Sequence, residues 1–399
     1  MSPEPKLNVT LTGADVRNAA IERLRELLPE EIAGYIVDND MILDLLVYAA
    51  VEGKSLHSAS GSLGSMANDD TIRNYINACF PAAGIYDLNL AVNRLLQADL
   101  PDKLRKGRRD LAIDLHDRPY YGHAEEIEPW LHRAKAKDGT TRFLRIATVD
   151  VMHHGLRFTL AVKFIHPGQT LPDILSWLLT SVRRAGIRIL RLWLDRGFAS
   201  GGVVRRLEAM RLSAIIACPI RGQNGGTRAL CQGRKTYHTY HGFSSATYGD
   251  WSAYVSVVRG YSSGQRKPRR ARWFLYIQVG CRLPDRTVHA LYRRRFGIES
   301  SYRILNQVRA HTTSRNPALR FLILGIALIL INLWVTLRFS HCRTVRRAKD
   351  VIHEERLRLW RLRDFLRHAI EQLYDLITAI NIVFRPLRPA LSQPENRKY

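Results

Sequence analysis

Cysteine is scarce in this chain and is not arranged for cross-linking. The five cysteines are odd in number, widely spaced and never form a Cys-x-x-Cys pair: Cys79, Cys218, Cys231, Cys281 and Cys342. This pattern argues against a disulfide framework and suits a reducing compartment. The sequence also lacks, at its start, the charged and then apolar segment that begins an export signal. We therefore expect a cytoplasmic protein.

Acidic residues are also scarce in this chain. The 399 residues include 61 lysines and arginines but only 36 aspartates and glutamates, a formal net charge of +25. A generally basic, soluble surface is one explanation, but the commonest use of such an excess is the neutralisation of phosphates. Residues 1–53 carry ten acids and four bases, whereas residues 183–309 carry five acids and twenty-five bases. The balance predicts nucleic acid as the partner, a nucleoid-associated location and separate modules.

Long apolar runs are also few, and the one at Phe321–Leu337 needs separate weighing. At ~1.5 Å per residue a helix of this length reaches about 25 Å, which is short of the ~30 Å hydrocarbon core of a bilayer. Asn332 and Thr336 also interrupt the run. The segment therefore favours a buried core helix over a membrane span, and we expect no membrane partner.

The first part of the chain, residues 1–104, has a helical pattern. Apolar residues at helical spacing predict two helices within residues 14–53. A further short helix is predicted at Asp69–Ile76, where acids begin the helix and Arg73 is exposed. This helix suits either a helix-turn-helix DNA reader or a plain packing module. We predict a helical domain that binds DNA ends, with Arg73 as a DNA contact.

From residue 105 the sequence pattern changes to short apolar runs separated by turn residues. The runs predict the order β-β-β-α-β-α-β, which implies a mixed sheet with helices on both faces. Residues 221–271 are rich in Gly, Ser, Tyr and Arg and predict a β-rich insertion. We expect this catalytic region to extend over residues 105–335, followed by a basic helical region at residues 336–399.

Two aspartates each end a predicted strand. Asp114 follows the run Leu111–Ile113, and Asp195 follows Ile187–Leu194. The carboxyl ends of strands carry the chemistry in open α/β sheets. Cutting or transferring a phosphodiester uses two divalent ions about 3.5–4 Å apart, and hard oxygen ligands select Mg²⁺ or Mn²⁺. The pattern predicts Asp114 and Asp195 as metal ligands.

A third carboxylate, Glu299, is predicted on a helix. At about 100° per residue, one narrow face of this helix contains Tyr292, Arg295, Glu299, Arg303 and Asn306. Such a stripe could aim Glu299 at the metal site with arginines beside it for phosphates. The alternative is a surface ion pair between Arg295 and Glu299, four residues apart. An adjoining apolar seam is predicted to dock the helix on the sheet: Leu291, Ile298 and Leu305.

These residues together resemble a known signature. Tyr292, Arg295 and Glu299 match the Tyr-x2-Arg-x3-Glu-x6-Lys signature of one branch of the DDE-class insertion-sequence transposases. Asp195, within Leu194–Phe198, resembles the second-aspartate phrase of that branch, and Asp114, within Ala112–Gly122, resembles the first. The resemblance covers residues 105–335. It implies an α/β fold: an RNase H-like mixed sheet flanked by helices, with a β-rich insertion before the Glu299 helix, beside an all-α N-terminal domain.

The resemblance also implies a function. The chain would be a DNA transposase that hydrolyses phosphodiesters at the ends of an element and then joins the 3′-hydroxyls to target DNA. The site would hold two Mg²⁺ or Mn²⁺ ions on Asp114, Asp195 and Glu299. A homodimer on paired terminal inverted repeats is expected. The rivals are a metal-dependent nuclease or resolvase on the same fold and an inactive DNA-binding relative.

Some assignments stay open. Asp150 also ends an apolar run and is the main rival of Asp114, although the resemblance places the first carboxylate on the first strand. Asn306 stands where the signature has Lys, which puts a DNA contact at that position in doubt. The other predicted DNA contacts on this helix are Tyr292, Arg294, Arg295 and Arg303. Four aromatic residues of the insertion could pack or stack on an exposed base: Tyr237, Tyr240, Tyr248 and Trp251.

Overall fold

The structure is a computed structural model of the chain. It describes residues 10–28, 37–123, 125–153, 156–261, 271–295, 303–346 and 349–379.

Among the described residues, six α-helices precede the first strand. They are α1 (Gly13–Arg25), α2 (Asn39–Glu52), α3 (Leu56–Ser60), α4 (Asp69–Cys79), α5 (Ile85–Ala98) and α6 (Asp102–Arg105). Local sequence sets their ends. Thr12 and Asp15 form a reciprocal capping box at the start of α1, and Asp38 caps the first turn of α2. Gly53 ends α2 with a φ of 62°, a left-handed conformation that glycine adopts without strain.

Nine strands of the described chain form one sheet. They are β1 (Arg108–Pro119), β2 (His132–Lys137), β3 (Thr140–His153), β4 (Leu156–Ile165), β5 (Arg188–Leu194), β6 (Ala214–Cys218), β7 (Tyr237–Phe243), β8 (Trp251–Tyr261) and β9 (Ala271–Val279). Strand β3 is antiparallel to both β1 and β4. Strands β1, β5 and β6 are parallel neighbours. This is the mixed sheet that the sequence predicted.

The β-rich insertion is part of the same sheet. Strand β9 pairs antiparallel with β6, β8 pairs with β9, and β7 pairs with β8. The predicted insertion therefore extends the catalytic sheet sideways through continuous backbone hydrogen bonding.

Helices cover the two faces of the sheet. Helices α7 (Leu171–Arg184) and α8 (Gly201–Ala209) pack on one face, where alternate residues of β1, β3 and β5 form an apolar core with them. Helix α9 (Asp285–Arg295) packs on the other face through Val288 and Tyr292, which contact Trp193 and Tyr276. The sequence predicted Leu291 as a docking residue, and Leu291 packs against this same cluster. In the structure Tyr292 is buried and Leu291 is only partly buried, because the aromatic ring fits against Trp193.

The long apolar segment forms helix α10 (Pro317–His341). The Asn316 side chain accepts from the first free backbone N–H groups, and Pro317 occupies the first turn. By length and composition α10 could cross a membrane, but 83% of its most apolar window is buried inside the protein. It packs against α5, β4 and α2, as a core helix does.

The outer edge of β4 is closed by amide side chains rather than by another strand. On α5, Asn89 and Asn93 both donate to the Val162 carbonyl, at 2.7 Å each. The Val162 N–H donates to Asn93 Oδ1 at 2.8 Å. Asn332 of α10 accepts from the Thr159 N–H at 3.0 Å and donates to the Thr159 carbonyl at 2.8 Å. These contacts satisfy an edge that would otherwise be free to pair with another chain.

The C-terminal region departs from its predicted helical character. Strands β10 (Arg343–Arg346) and β11 (Lys349–Ile352) form an antiparallel hairpin before helix α11 (Leu359–Leu373). The β-branched pairs Thr344–Val345 and Val351–Ile352 favour extended backbone over helix here. Helix α11 returns to pack on α1 and α2. The boundaries at residues 104 and 335 stay predictions.

Candidate active site

Asp114 and Asp195 lie at one point of the sheet because their strands are parallel neighbours. Ile113 of β1 pairs with Leu194 of β5, so the next residue of each strand is an aspartate. Asp114 is mostly buried, with a side chain 16% exposed, whereas the Asp195 side chain is 36% exposed. The two carboxylates therefore lie side by side at the carboxyl end of β5, one inside and one facing solvent.

Arg295, the last described residue of α9, connects the two aspartates. Its Nη2 donates to Asp114 Oδ1 at 2.8 Å, and its Nη1 lies 3.6 Å from Asp195 Oδ1. The residue is only 5% exposed. The sequence predicted Arg295 as a DNA contact. In the structure it is buried against the sheet, because the two carboxylates offer its guanidinium better partners than solvent does.

Tyr292 supports this arrangement from the same helix. Its hydroxyl donates to the Leu194 carbonyl at 3.0 Å and accepts from Arg295 Nη1 at 3.3 Å. Burial raises the pKa of this hydroxyl above its ordinary value, which keeps it a neutral donor. Tyr292 is 2% exposed, so it too lacks the exposure that its predicted DNA contact requires. Its hydroxyl instead joins the end of β5 to the guanidinium.

Burial governs the charge of Asp114. It raises the pKa of the carboxyl to about 6, with Arg295 acting in the opposite direction and Asp195 and Asp150 adding to the rise. A carboxylate whose burial opposes its charge gains most from a cation placed directly on it. Strongly perturbed carboxyls of this kind are typical of functional sites.

Asp150, the rival of Asp114, lies one strand further away. It is on β3 opposite Ala112 and accepts from the Thr159 hydroxyl at 2.7 Å. Arg157 Nη1 lies 4.0 Å from its other oxygen. Burial raises the pKa of this carboxyl. Asp150 is 5% exposed and engaged within the sheet, whereas Asp114 shares a cation with Asp195.

The remaining predicted site residues fall into two groups. Glu299 lies outside the described residues, and so does the side chain of Arg294. Arg303 and Arg73 are exposed, and Arg73 forms ion pairs with its helix neighbours Asp69 and Asp70. Both remain predicted DNA contacts.

Asn306, which stands in place of the signature lysine, has a basic neighbour. Arg118 Nη1, at the end of β1, donates to Asn306 Oδ1 at 3.1 Å. A positive charge is therefore present beside this position, although it comes from another element. Sequence reasoning missed Arg118 because its distance along the chain from Asn306 gives no periodic signal.

Arg157 is a second residue that the sequence did not indicate. Its Nη2 donates to the Arg295 carbonyl at 2.9 Å. It thereby joins β4 to the end of α9 close to the two aspartates. The alternation of basic and apolar residues along β4 is the available signal, but it indicates only the face on which Arg157 lies.

The aromatic residues of the insertion divide between packing and exposure. Trp251 stacks on Phe243 with ring centroids 4.2 Å apart, and Tyr237 donates to the Leu230 carbonyl at 2.6 Å. Tyr248 packs against Gly202. Tyr240 is 66% exposed and is the one of these four aromatics whose ring stays open to a partner.

The donor set fits a divalent cation. Asp114 and Asp195 each direct an oxygen at one cationic group, the Arg295 guanidinium, which stands in for positive charge at this position. Carboxylate oxygens are the ligands that Mg²⁺ and Mn²⁺ prefer. Among the described residues no cluster of three His, Cys, Asp or Glu side chains is placed to hold a metal, and Glu299, the predicted third carboxylate, lies outside them.

Comparisons with known proteins agree with this geometry. The transposase DDE domain family matches residues 105–333. A solved structure described as the piggyBac transposase synaptic complex with hairpin DNA is similar in fold, with a TM-score of 0.55 at 13% sequence identity, over 92% of this chain and 80% of that chain. No curated protein sequence matches. The family and the fold confirm the resemblance that the motifs indicated. The chain therefore belongs to the transposase DDE domain family and is a DNA transposase.

Proposed function

We propose that this transposase cuts DNA at the ends of its element and transfers the freed 3′-hydroxyls to target DNA from one site built on Asp114, Asp195 and Glu299. The observation that carries the proposal is the convergence of Asp114 and Asp195, from neighbouring parallel strands, on a single cationic group. In hydrolysis, water attacks the phosphorus and the bond to the 3′-oxygen breaks. In transfer, that 3′-hydroxyl attacks a target phosphodiester, and the target's own 3′-oxygen leaves.

Asp114, Asp195 and Glu299 would hold two Mg²⁺ or Mn²⁺ ions. When bound, such ions activate the attacking oxygen and stabilise the leaving oxygen. The chain's own residues hold the carboxylates in position. Tyr292 fixes the end of β5 through the Leu194 carbonyl, and the sheet holds the two aspartates at a set spacing. Exposed cations outside the site, including Arg303 and Arg73, would contact the phosphate backbone.

The proposed partners are terminal inverted repeats and target duplex, held by a homodimer that joins two ends. The proposed location is the cytoplasm, on the nucleoid and away from membranes. The large basic excess supports a DNA partner, and the five cysteines, none of which is in a disulfide in the described structure, suit a reducing compartment. Light scattering with and without end DNA tests the assembly: a species of one chain per DNA end that never pairs would contradict the dimer.

A strand-transfer assay tests the activity, with labelled element ends, a plasmid target and Mg²⁺. We expect Asp114→Asn, Asp195→Asn and Glu299→Gln each to lose about 10³-fold or more of both cleavage and joining, as residues acting as one unit do. Asp250→Asn, which removes an exposed acid in the loop between β7 and β8, is the matched control and should keep full activity.

Two results would change the proposal. Cleavage without any joined product would identify a nuclease rather than a complete transposase. Full activity in Asp114→Asn with loss in Asp150→Asn would show that the first carboxylate of the site is Asp150 on β3 rather than Asp114.

A further inference from the structure

A buried guanidinium fills the space between the two aspartates. Arg295 Nη2 donates to Asp114 Oδ1 at 2.8 Å and to the Ile113 carbonyl at 3.4 Å, and Nη1 lies 3.3 Å from the Tyr292 hydroxyl and 3.6 Å from Asp195 Oδ1. The group thus contacts both predicted metal ligands while it is almost entirely shielded from water.

The surroundings hold the guanidinium there. Tyr292 fixes it from its own helix, and Arg157 binds its backbone carbonyl at 2.9 Å. The buried Nε has no hydrogen-bond partner among the described residues. The charged contacts on Nη1 and Nη2 therefore offset the cost of leaving one buried donor unsatisfied. Among the described residues, the two carboxylates provide the charged contacts of the guanidinium, and the Tyr292 hydroxyl adds a neutral one.

The negative charges of Asp114 and Asp195 explain why a cation is favoured between them. Two neighbouring carboxylates repel each other, and the burial of Asp114 increases that repulsion. A guanidinium offsets this repulsion, and a divalent ion would offset it more strongly. The two cations require the same carboxylate oxygens.

We propose that Arg295 is the resident counter-cation of Asp114 and Asp195 and that it competes with the divalent ion for them, which sets the metal affinity of the site. The inference rests on the proposed function, since it takes both aspartates as metal ligands. It assigns Arg295 a role as a positioning residue that holds the carboxylates together without metal and must release them, at least in part, for the ion to bind.

Mn²⁺ binding to the full-length protein without DNA, followed by electron paramagnetic resonance of the free ion, tests the competition. We expect Arg295→Gln to bind Mn²⁺ at least about 10-fold more tightly than the wild type, since one resident cation no longer has to be displaced. Arg293→Gln is the matched control. It removes the same charge from the same helix at an exposed position, where solvent screens it, and should bind within about 3-fold of the wild type.

The variants distinguish a failure of the competition by Arg295 from a failure of the metal site itself. If Arg295→Gln binds no more tightly than Arg293→Gln while Asp114→Asn abolishes binding, the metal site stands and the competition is refuted. If Asp114→Asn binds as tightly as the wild type, the proposed metal site itself fails, and the inference fails with it.

A measurement on the wild-type protein does not depend on the folding of a variant. In protein labelled with ¹⁵N-arginine, the Arg295 Nε resonance is assigned by its loss in Arg295→Lys. We expect Mg²⁺ to shift this resonance in proportion to site occupancy, because its contacts to Asp114 and Asp195 change. A resonance that stays in place at Mg²⁺ saturation would refute the proposal.

Discussion

At the residue scale, the sequence pattern predicted that Arg295 lies on a helix but not which residues its guanidinium contacts. The spacing in sequence offered Arg295 a partner four residues away. In the structure its guanidinium binds Asp114, which lies 181 residues earlier. Helical periodicity shows which residues share a face, but it does not show what that face meets. The Arg295 contacts therefore could not be read from the sequence.

The raised pKa of Asp114 predicts a specific dependence of stability on pH in the absence of metal. The folded pKa is about 6 and the ordinary value is 3.8, so the folded state binds this proton more tightly than the unfolded state does. Protonation therefore stabilises the fold fully below about pH 3.8, and this contribution is lost as the pH rises through about 6. The difference is roughly 3 kcal/mol in the free energy of unfolding.

Urea unfolding in EDTA between pH 4 and pH 7 measures this effect. We expect the wild type to lose stability with rising pH relative to Asp114→Asn, which cannot titrate. Asp250→Asn should keep the wild-type slope, because it removes an exposed carboxyl in the loop between β7 and β8. Parallel curves for the wild type and Asp114→Asn would show that burial does not hold the proton on Asp114.

At the element scale, strands with apolar runs were predictable and polar strands were not. Some of the short apolar runs predicted after residue 105 correspond to β3 and β4, because burial on the sheet demands apolar side chains at regular spacing. Strand β2, His132–Lys137, was not predicted, since most of its side chains are exposed and basic or small. Its position depends on backbone pairing with β3.

Asn332 is a polar residue inside the apolar helix α10. Its contacts predict that a more apolar side chain at this position destabilises the protein. Asn332 is 1% exposed and makes three hydrogen bonds, to the backbone of Thr159 on β4 and to the Leu96 carbonyl of α5. We expect Asn332→Leu to destabilise the protein by about 2–4 kcal/mol, although leucine is more apolar, because buried backbone groups lose their partners. Chemical denaturation measures the change.

Thr336→Val is the control for that substitution. It removes a polar group one turn further along α10, where the Thr336 hydroxyl donates to the Asp99 carbonyl at an exposed position. We expect a change within about 0.5 kcal/mol. An Asn332→Leu protein as stable as Thr336→Val would show that the edge of β4 does not depend on the amide.

At the scale of the whole molecule, segments far apart in sequence share one core. Residues of α1, α2, α5, α10 and α11 form a continuous apolar cluster with parts of β3 and β4. The catalytic sheet is therefore covered on one side by α5, which precedes the family match, and by α10, most of which lies within it. The helical segment at the start of the chain is a structural support of the catalytic sheet, whatever DNA contacts it also makes.

This shared core predicts that the region 105–335 does not fold by itself. Without α5 the edge of β4 would lose the Asn89 and Asn93 contacts, and α10 would expose the apolar surface that α2 and α5 cover. We expect the fragment to aggregate in size-exclusion chromatography under conditions in which the full chain elutes as a defined species. A monodisperse fragment with a cooperative thermal transition would contradict this.

The sequence by itself determined the family and most of the order of strands and helices in the catalytic region, and it predicted two of the carboxylates, Asp114 and Asp195. These follow from local signals: apolar periodicity, strand ends and a short signature. The tertiary structure alone decided that Arg295 and Tyr292 are buried, that Arg118 lies beside Asn306, and that amide side chains close the edge of β4. Each of these depends on contacts between elements distant in sequence, whose chemistry becomes specific only when packing brings them within hydrogen-bond distance.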